Sequence, residues 1–203
     1  MMKEEYHFFQ IYYQKTFFLM LFVGMLVCLL VYLLGWRFEE FIQSTANQIT
    51  GSLEDSSGIM PTAFQDFLSI IKNNLMVGIM IITCGFIPFF GLPFLYGVTI
   101  FAAIGVIASF GTIMGFQIGK IMLISFVPHA VIEVIPICYS VAIGMYVNKN
   151  MVRKLFVRHK PTATINIVSL YALRSYLLVV VPFFLLAAFV EAYITQLLSE
   201  IFL

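Results

Sequence analysis

Three side chains in this sequence could carry chemistry in an unusual setting: His129, Glu133 and Glu191. Each is ionisable, and each lies within a long apolar run. An acid or base at the middle of a membrane helix costs about 2.5–3.5 kcal/mol on insertion scales, so each needs a partner or a task. His129 and Glu133 are four residues apart and share a helix face. In a span opening at Pro128, Glu133 lies about 7 Å below that end, at the α-helical rise per residue. In a last span closing at Leu198, Glu191 lies about 10 Å below its end. Lys72, Asn73, Asn74 and Lys120 fall at the same rim. The reading predicts one polar cluster joining spans two, four and five. Three roles compete for it. It is a shared proton or ion pair that fixes helix packing, a transport or proton-relay site, or a metal site of His129, Glu133 and Glu191. The third lacks the paired histidines of a zinc-protease helix, and no resident metal or cofactor is expected.

Other chemistry finds little support. No Gly-rich phosphate loop is present, so nucleotide hydrolysis is not expected of this chain itself. Ser109, Ser125 and Ser140 lie in apolar runs without a Gly-x-Ser-x-Gly elbow. Cys28, Cys84 and Cys138 are far apart and read as small buried apolar residues. His7 and His159 read as solvated. The sequence is not expected to be an enzyme. Lys149, Arg153, Lys154, Arg158, Lys160 and Arg174 form a basic run that acts as a topology signal. Its amphipathic part, with Val152, Leu155 and Phe156, also suits anionic lipid. Nothing in it calls for nucleic acid.

The elements that must position these residues follow from composition. Of 203 residues, 62% are hydrophobic and 10% charged, against about 45–50% and about 25% in soluble domains. A spanning helix needs roughly 20 apolar residues, and the continuous runs here favour helices over alternating membrane strands. The first run, Thr16 to Trp36, is too long for a signal-peptide core and reads as a retained span. Trp36 suits an interfacial anchor. Span two is read from Leu75 to Phe90 and span three from Phe94 to Gly115. Gly111, Gly115 and Gly119 fall four apart, either as a face for close helix packing or as a loose Gly-rich turn before Lys120. Ile121 to Val147 is interrupted by Pro128 and Pro136. It is either one kinked helix or a re-entrant piece followed by a span from Pro128. The last span is read from Ser175 to Leu198.

The whole chain, 1–203, reads as a single all-α, polytopic helical membrane domain of about five spans. Residues 1–15 form a short arm and 148–174 a basic loop, both placed in the cytoplasm by the positive-inside rule. Residues 37–72 form a largely acidic external segment with two short amphipathic surface helices. In the first, Phe38, Phe41, Ile42, Thr45 and Ile49 recur at helical spacing. In the second, after a Gly51–Gly58 turn region and with Pro61 in its first turn, Met60, Phe64, Phe67, Leu68 and Ile71 do so. The N-terminus is then cytoplasmic and the C-terminus external.

These residues carry a resemblance. Phe67-Leu-Ser-Ile-Ile-Lys-Asn-Asn-Leu75, Pro128-His-Ala-Val-Ile-Glu133 and Ala187-Ala-Phe-Val-Glu-Ala-Tyr-Ile-Thr195 resemble the stage II sporulation protein M family. The resemblance covers most of the chain from about Phe64 onward, and the Pro-His-x-x-x-Glu piece is its most specific part. Where that family often has Gly after the Pro-His pair, this chain has Ala130, and it has Tyr96-Gly97 where Asn-Gly is common. The resemblance implies a bacterial cytoplasmic-membrane protein without catalysis of its own. The family's named member belongs to a sporulation complex that works with peptidoglycan-degrading partners. Other relatives are similar to membrane proteins encoded with circular bacteriocins. The expected role is therefore a scaffold for envelope partners, in contact with the bilayer and with protein partners or copies of itself. The alternative is a component for export of, or immunity to, a bacteriocin, beside a separate ATPase.

Overall fold

The computed structural model describes residues 2–51, 62–115, 127–156, 164–195, 197–198 and 201. Its helices are α1 (Lys3–Gly35), α2 (Glu39–Gly51), α3 (Ala63–Cys84), α4 (Leu92–Ile113), α5 (Val127–Phe156) and α6 (Ile165–Thr195). Five of them, all but α2, are long and apolar enough to cross a membrane. No strand occurs among the described residues. The chain is an all-α, multi-pass membrane protein. Phe22, Leu26, Leu29 and Leu33 of α1 are exposed, as side chains solvated by lipid would be.

Local sequence sets the helix ends. At the start of α3, Gln65 N–H donates to Thr62 Oγ1 (3.3 Å) and Thr62 N–H donates to Gln65 Oε1 (2.9 Å), a complete capping box. Before α4, Gly91 takes a φ of 90°, and Pro93 sits in the first turn. In α6, Val181 N–H reaches back to Tyr176 carbonyl and closes a π turn over Tyr176–Val180. Pro182 follows and supplies no N–H, so the register can shift here at small cost.

Packing depends on close approach of backbones. α1 and α4 run parallel. The Phe101 ring covers Gly24, where a Cβ would come within 2.7 Å of it, and a Cβ on Gly105 would lie 2.6 Å from the Cys28 carbonyl oxygen. Ser109 occupies the space that a side chain at Gly35 would need. Gly97 faces Met20 and Val141, which brings α5 against the same pair. Small residues let helices approach this way where lipid offers no hydrophobic drive between them. The core runs through Tyr13, Met20, Phe101, Val141 and Phe184.

The α3–α4 connection is held by one side chain. Asn148, 0% exposed on α5, donates from Nδ2 to the carbonyls of Gly85 (3.3 Å), Ile87 (2.7 Å) and Phe89 (3.1 Å). Its Oδ1 accepts from Gly91 N–H at 3.1 Å. Gly85 approaches the Gly144 carbonyl so closely that neither helix has room for a side chain there.

Several boundaries differ from the sequence reading. The proposed second surface helix is the first part of α3, because the Thr62 capping box starts a helix that continues into the apolar run. Span two thus covers Ala63–Cys84 and ends before Phe90. The stretch read as an N-terminal arm, 1–15, is helical from Met2 and continuous with span one through the π turn Phe9–Tyr13. The last span begins at Ile165, within the stretch read as the basic loop. Gly111 and Gly115 do not share a helical packing face. Gly111 is buried in α4, but the helix ends at Ile113 and Gly115 takes a φ of +76°, as a residue that terminates a helix does. Gly119 lies outside the described residues. A described helix opens at Val127, one residue before Pro128; the choice between a kinked helix and a re-entrant piece falls on 121–126, outside the described residues.

Replacing Asn148 removes its hydrogen bonds to the loop backbone, although the Ile87 and Phe89 carbonyls keep Phe89 N–H and Leu92 N–H as donors. Asn148→Leu is expected to destabilise the protein by about 2–4 kcal/mol, read as a lowered thermal midpoint in detergent. A midpoint equal to wild type would show that the loop holds without this side chain.

Candidate functional site

Polar side chains meet at two levels of the bundle. The first group lies toward the start of α3 and the end of α6. α3 contributes Asp66 and Asn74, α5 contributes Glu133, and α6 contributes Glu191. Glu191 is the charged neighbour of Glu133, and the Asn74 amide is its polar neighbour. Asp66 stands against Glu191 in the same way. Two local features aim these groups. Glu191 lies in a π turn, Val190–Thr195, which turns its side chain relative to the α-helical register. Pro136 lies inside α5, three residues beyond Glu133, and its missing N–H leaves the Ile132 carbonyl without its helical donor. Phe67 and Tyr193, tilted rings with centroids 6.3 Å apart, and Phe189, 5.0 Å from Tyr193, wall the site on one side.

Of the residues singled out from sequence, the structure thus brings together Asn74, Glu133 and Glu191. Lys72 and Asn73 are exposed on a different face of α3. His129 is in the first turn of α5, and its side chain lies outside the described residues, as does Lys120. Asp66 was missed, because α3 was read as starting at Leu75. Among the described residues no group of three or more His, Cys, Asp or Glu is arranged to hold a metal ion.

The second group was not foreseen. Arg174 sits within α6 rather than in a loop. Its Nη2 donates to Glu4 Oε2 at 2.9 Å, and its Nε lies 3.6 Å from Glu5 Oε2. Glu5 is 3% exposed and accepts from the Tyr139 hydroxyl at 3.0 Å. The Tyr13 and Ser175 hydroxyls are 3.3 Å apart beside it. Phe8 stacks on Tyr171 (4.8 Å) and Phe9 on Tyr139 (5.4 Å), so the first turns of α1 dock across α5 and α6. The sequence does carry a signal: Glu5, Phe9, Tyr13 and Phe17 recur every fourth residue and form one face. Of the basic run, Lys149, Arg153 and Lys154 are exposed on the last turns of α5, while Arg158 and Lys160 lie outside the described residues.

Comparison with known proteins gives one result. The family model described as Stage II sporulation protein M matches residues 12–196, and the chain belongs to that family. The comparison with curated proteins finds no match. The comparison with solved structures finds none either.

The two acids at Arg174 should differ sharply. Arg174→Met leaves the buried Glu5 carboxyl without its cation and is expected to cost about 3–5 kcal/mol. Glu4→Ala removes only a solvent-exposed partner and is expected to leave the thermal midpoint nearly unchanged. Thermal unfolding in detergent compares them, and equal losses would contradict the assignment.

Proposed function

We propose that this protein is a non-catalytic scaffold of a bacterial cytoplasmic membrane that holds envelope-remodelling partners at its surface. The observation that carries this reading is the setting of α2. The chain leaves α1 through a 3-10 turn at Trp36–Phe38, and α2 folds back onto α4, with Ile42 buried against Val106. The described part of the segment after α1, Trp36–Gly51, is therefore a shelf packed on α4. Its outward face carries Glu39 and Glu40, and Phe38 (61%) and Phe41 (64%) stand exposed beside them. Between the shelf and the spans lies an apolar groove of about 520 Å³, lined by Leu34, Phe38, Phe41, Thr99, Ala102 and Val106 among others. Exposed aromatic anchors rimmed by acids suit recognition of a protein partner.

Orientation follows from charge. The end of the bundle near Asn148 carries Lys149, Arg153 and Lys154, and the shelf end carries Glu39, Glu40 and Asp66. By the positive-inside rule the first end faces the cytoplasm, with the N-terminus, and the shelf faces outward. Family membership supports the envelope setting.

A second reading is favoured by the Asp66–Asn74–Glu133–Glu191 cluster. Such a group suits a transporter-like component for export of, or immunity to, a bacteriocin, working beside a separate ATPase.

The two readings separate by mutation. In the scaffold reading, Phe38→Ser with Phe41→Ser, or deletion of Gln43 to Asp66, reduces recovery of peptidoglycan-remodelling partners on a tagged protein by about tenfold, a loss of 1.4 kcal/mol. Glu133→Gln and Glu191→Gln leave that recovery intact. In the export reading the pattern reverses: the glutamate variants insert normally but abolish protection against the bacteriocin. Unchanged partner recovery from the shelf variants would remove the scaffold reading.

A further inference from the structure

The acid cluster contains a mismatch that its own side chains do not resolve. Asn74 is 7% exposed, its Nδ2 completes no hydrogen bond, and the group in front of it is the Glu133 carboxyl. Glu191 faces Glu133 from α6, and Asp66 faces Glu191 from α3. Among the described residues, no Lys or Arg is paired with Glu133 or Glu191. Lys72, on α3, is exposed, and Arg174, on α6, is engaged with Glu4 and Glu5. Among the described residues the facing groups are thus acids and one amide, gathered where lipid excludes water.

We propose that Glu133, Glu191 and the Asn74 amide hold a single monovalent cation, H⁺ or Na⁺, between α3, α5 and α6. Two facing carboxylates at low dielectric repel each other strongly, and one positive charge between them removes most of that cost. The amide fits in either orientation. As placed, its N–H₂ faces a carboxyl that it does not reach; rotated, its oxygen becomes a further hard donor. Oxygen donors of this kind suit H⁺ or a small hard cation. A divalent cage needs more carboxylates in reach than are arranged here, since no group of three among the described residues can hold a metal. The site joins three spans, so occupancy tightens α3 and α6 against α5 at the shelf end. This inference rests on the cluster's geometry and not on the scaffold or export reading; loss of partner recovery from shelf variants leaves it untouched.

The test uses the full-length protein in detergent and a hydrophobic carbodiimide, which reacts with protonated carboxyls in apolar surroundings. Peptide mass mapping locates the label. The expected result is labelling of Glu133 or Glu191 whose rate falls about tenfold per pH unit above the site's midpoint. Replacing choline by sodium at constant ionic strength decides the ion: slower labelling assigns Na⁺ as well as H⁺, and an unchanged rate assigns H⁺ alone. Glu133→Gln or Glu191→Gln should shift that midpoint, and so should the uncharged variant Asn74→Leu, which keeps both acids. No label on either glutamate at any pH, or a rate indifferent to pH and sodium, would overturn the proposal and leave a bridging water as the occupant.

Discussion

Lipid cannot hydrogen-bond, and that constraint organises this molecule. A polar group inside the bundle must meet another polar group of the same chain or remain unsatisfied at a cost of several kcal/mol. The chain meets the constraint in three places along the helix axes. Asn148 gathers the carbonyls of the α3–α4 loop. Arg174 gathers Glu4 and Glu5, with Tyr139 on Glu5. Asn74, Glu133 and Glu191 gather one another. The first satisfies both atoms of the Asn148 amide, and the second pairs its acids with a cation, although Arg174 Nε completes no hydrogen bond. The third contains more acceptors than donors, which is why it is the place to look for a ligand.

The apolar packing serves the same end. α1 and α4 approach through Gly24, Gly97, Gly105 and Gly35, and α5 crosses them at Gly97. This places the first turns of α1 across α5 and α6, and so delivers Glu5 to Tyr139 and Arg174. A bulkier residue at Gly105 would push against the Cys28 carbonyl and loosen the frame on which that ion pair depends. The π turns lie at the same places: Phe9–Tyr13 holds Tyr13, Tyr176–Val180 follows Ser175, and Val190–Thr195 holds Glu191. Irregular helix turns are concentrated where polar side chains must be aimed.

Much of the fold was legible because long apolar runs admit few alternatives in a membrane protein. The sequence reading grouped His129, Glu133 and Glu191, with Asn74 at the rim, because polar interruptions at like depth have few other partners; Asn74 and Glu191 are neighbours of Glu133, while the His129 side chain lies outside the described residues. Helix ends were harder to read. Thr62 and Gln65 announce the start of α3, yet the polar residues around them suggested a separate surface helix, and Asp66 was lost with it. Glycines at fixed spacing proved ambiguous, since Gly115 ends a helix while Gly97 and Gly105 pack one. The Arg174 cluster was hidden because its members are 134 and 170 residues apart for their two principal bonds, and a basic residue beside a loop reads first as a topology signal.

The central claim is that acids from α5 and α6 share one site at one level of the membrane. Proximity of Glu133 and Glu191 tests it most directly. In a chain with Cys28, Cys84 and Cys138 replaced, Glu133→Cys and Glu191→Cys are introduced together and treated in membranes with a short bismaleimide. The account predicts an intrachain crosslink, seen by mass mapping, and equal shielding of both thiols from an impermeant reagent. Absence of the crosslink, with the two thiols labelled from opposite sides of the membrane, would contradict it.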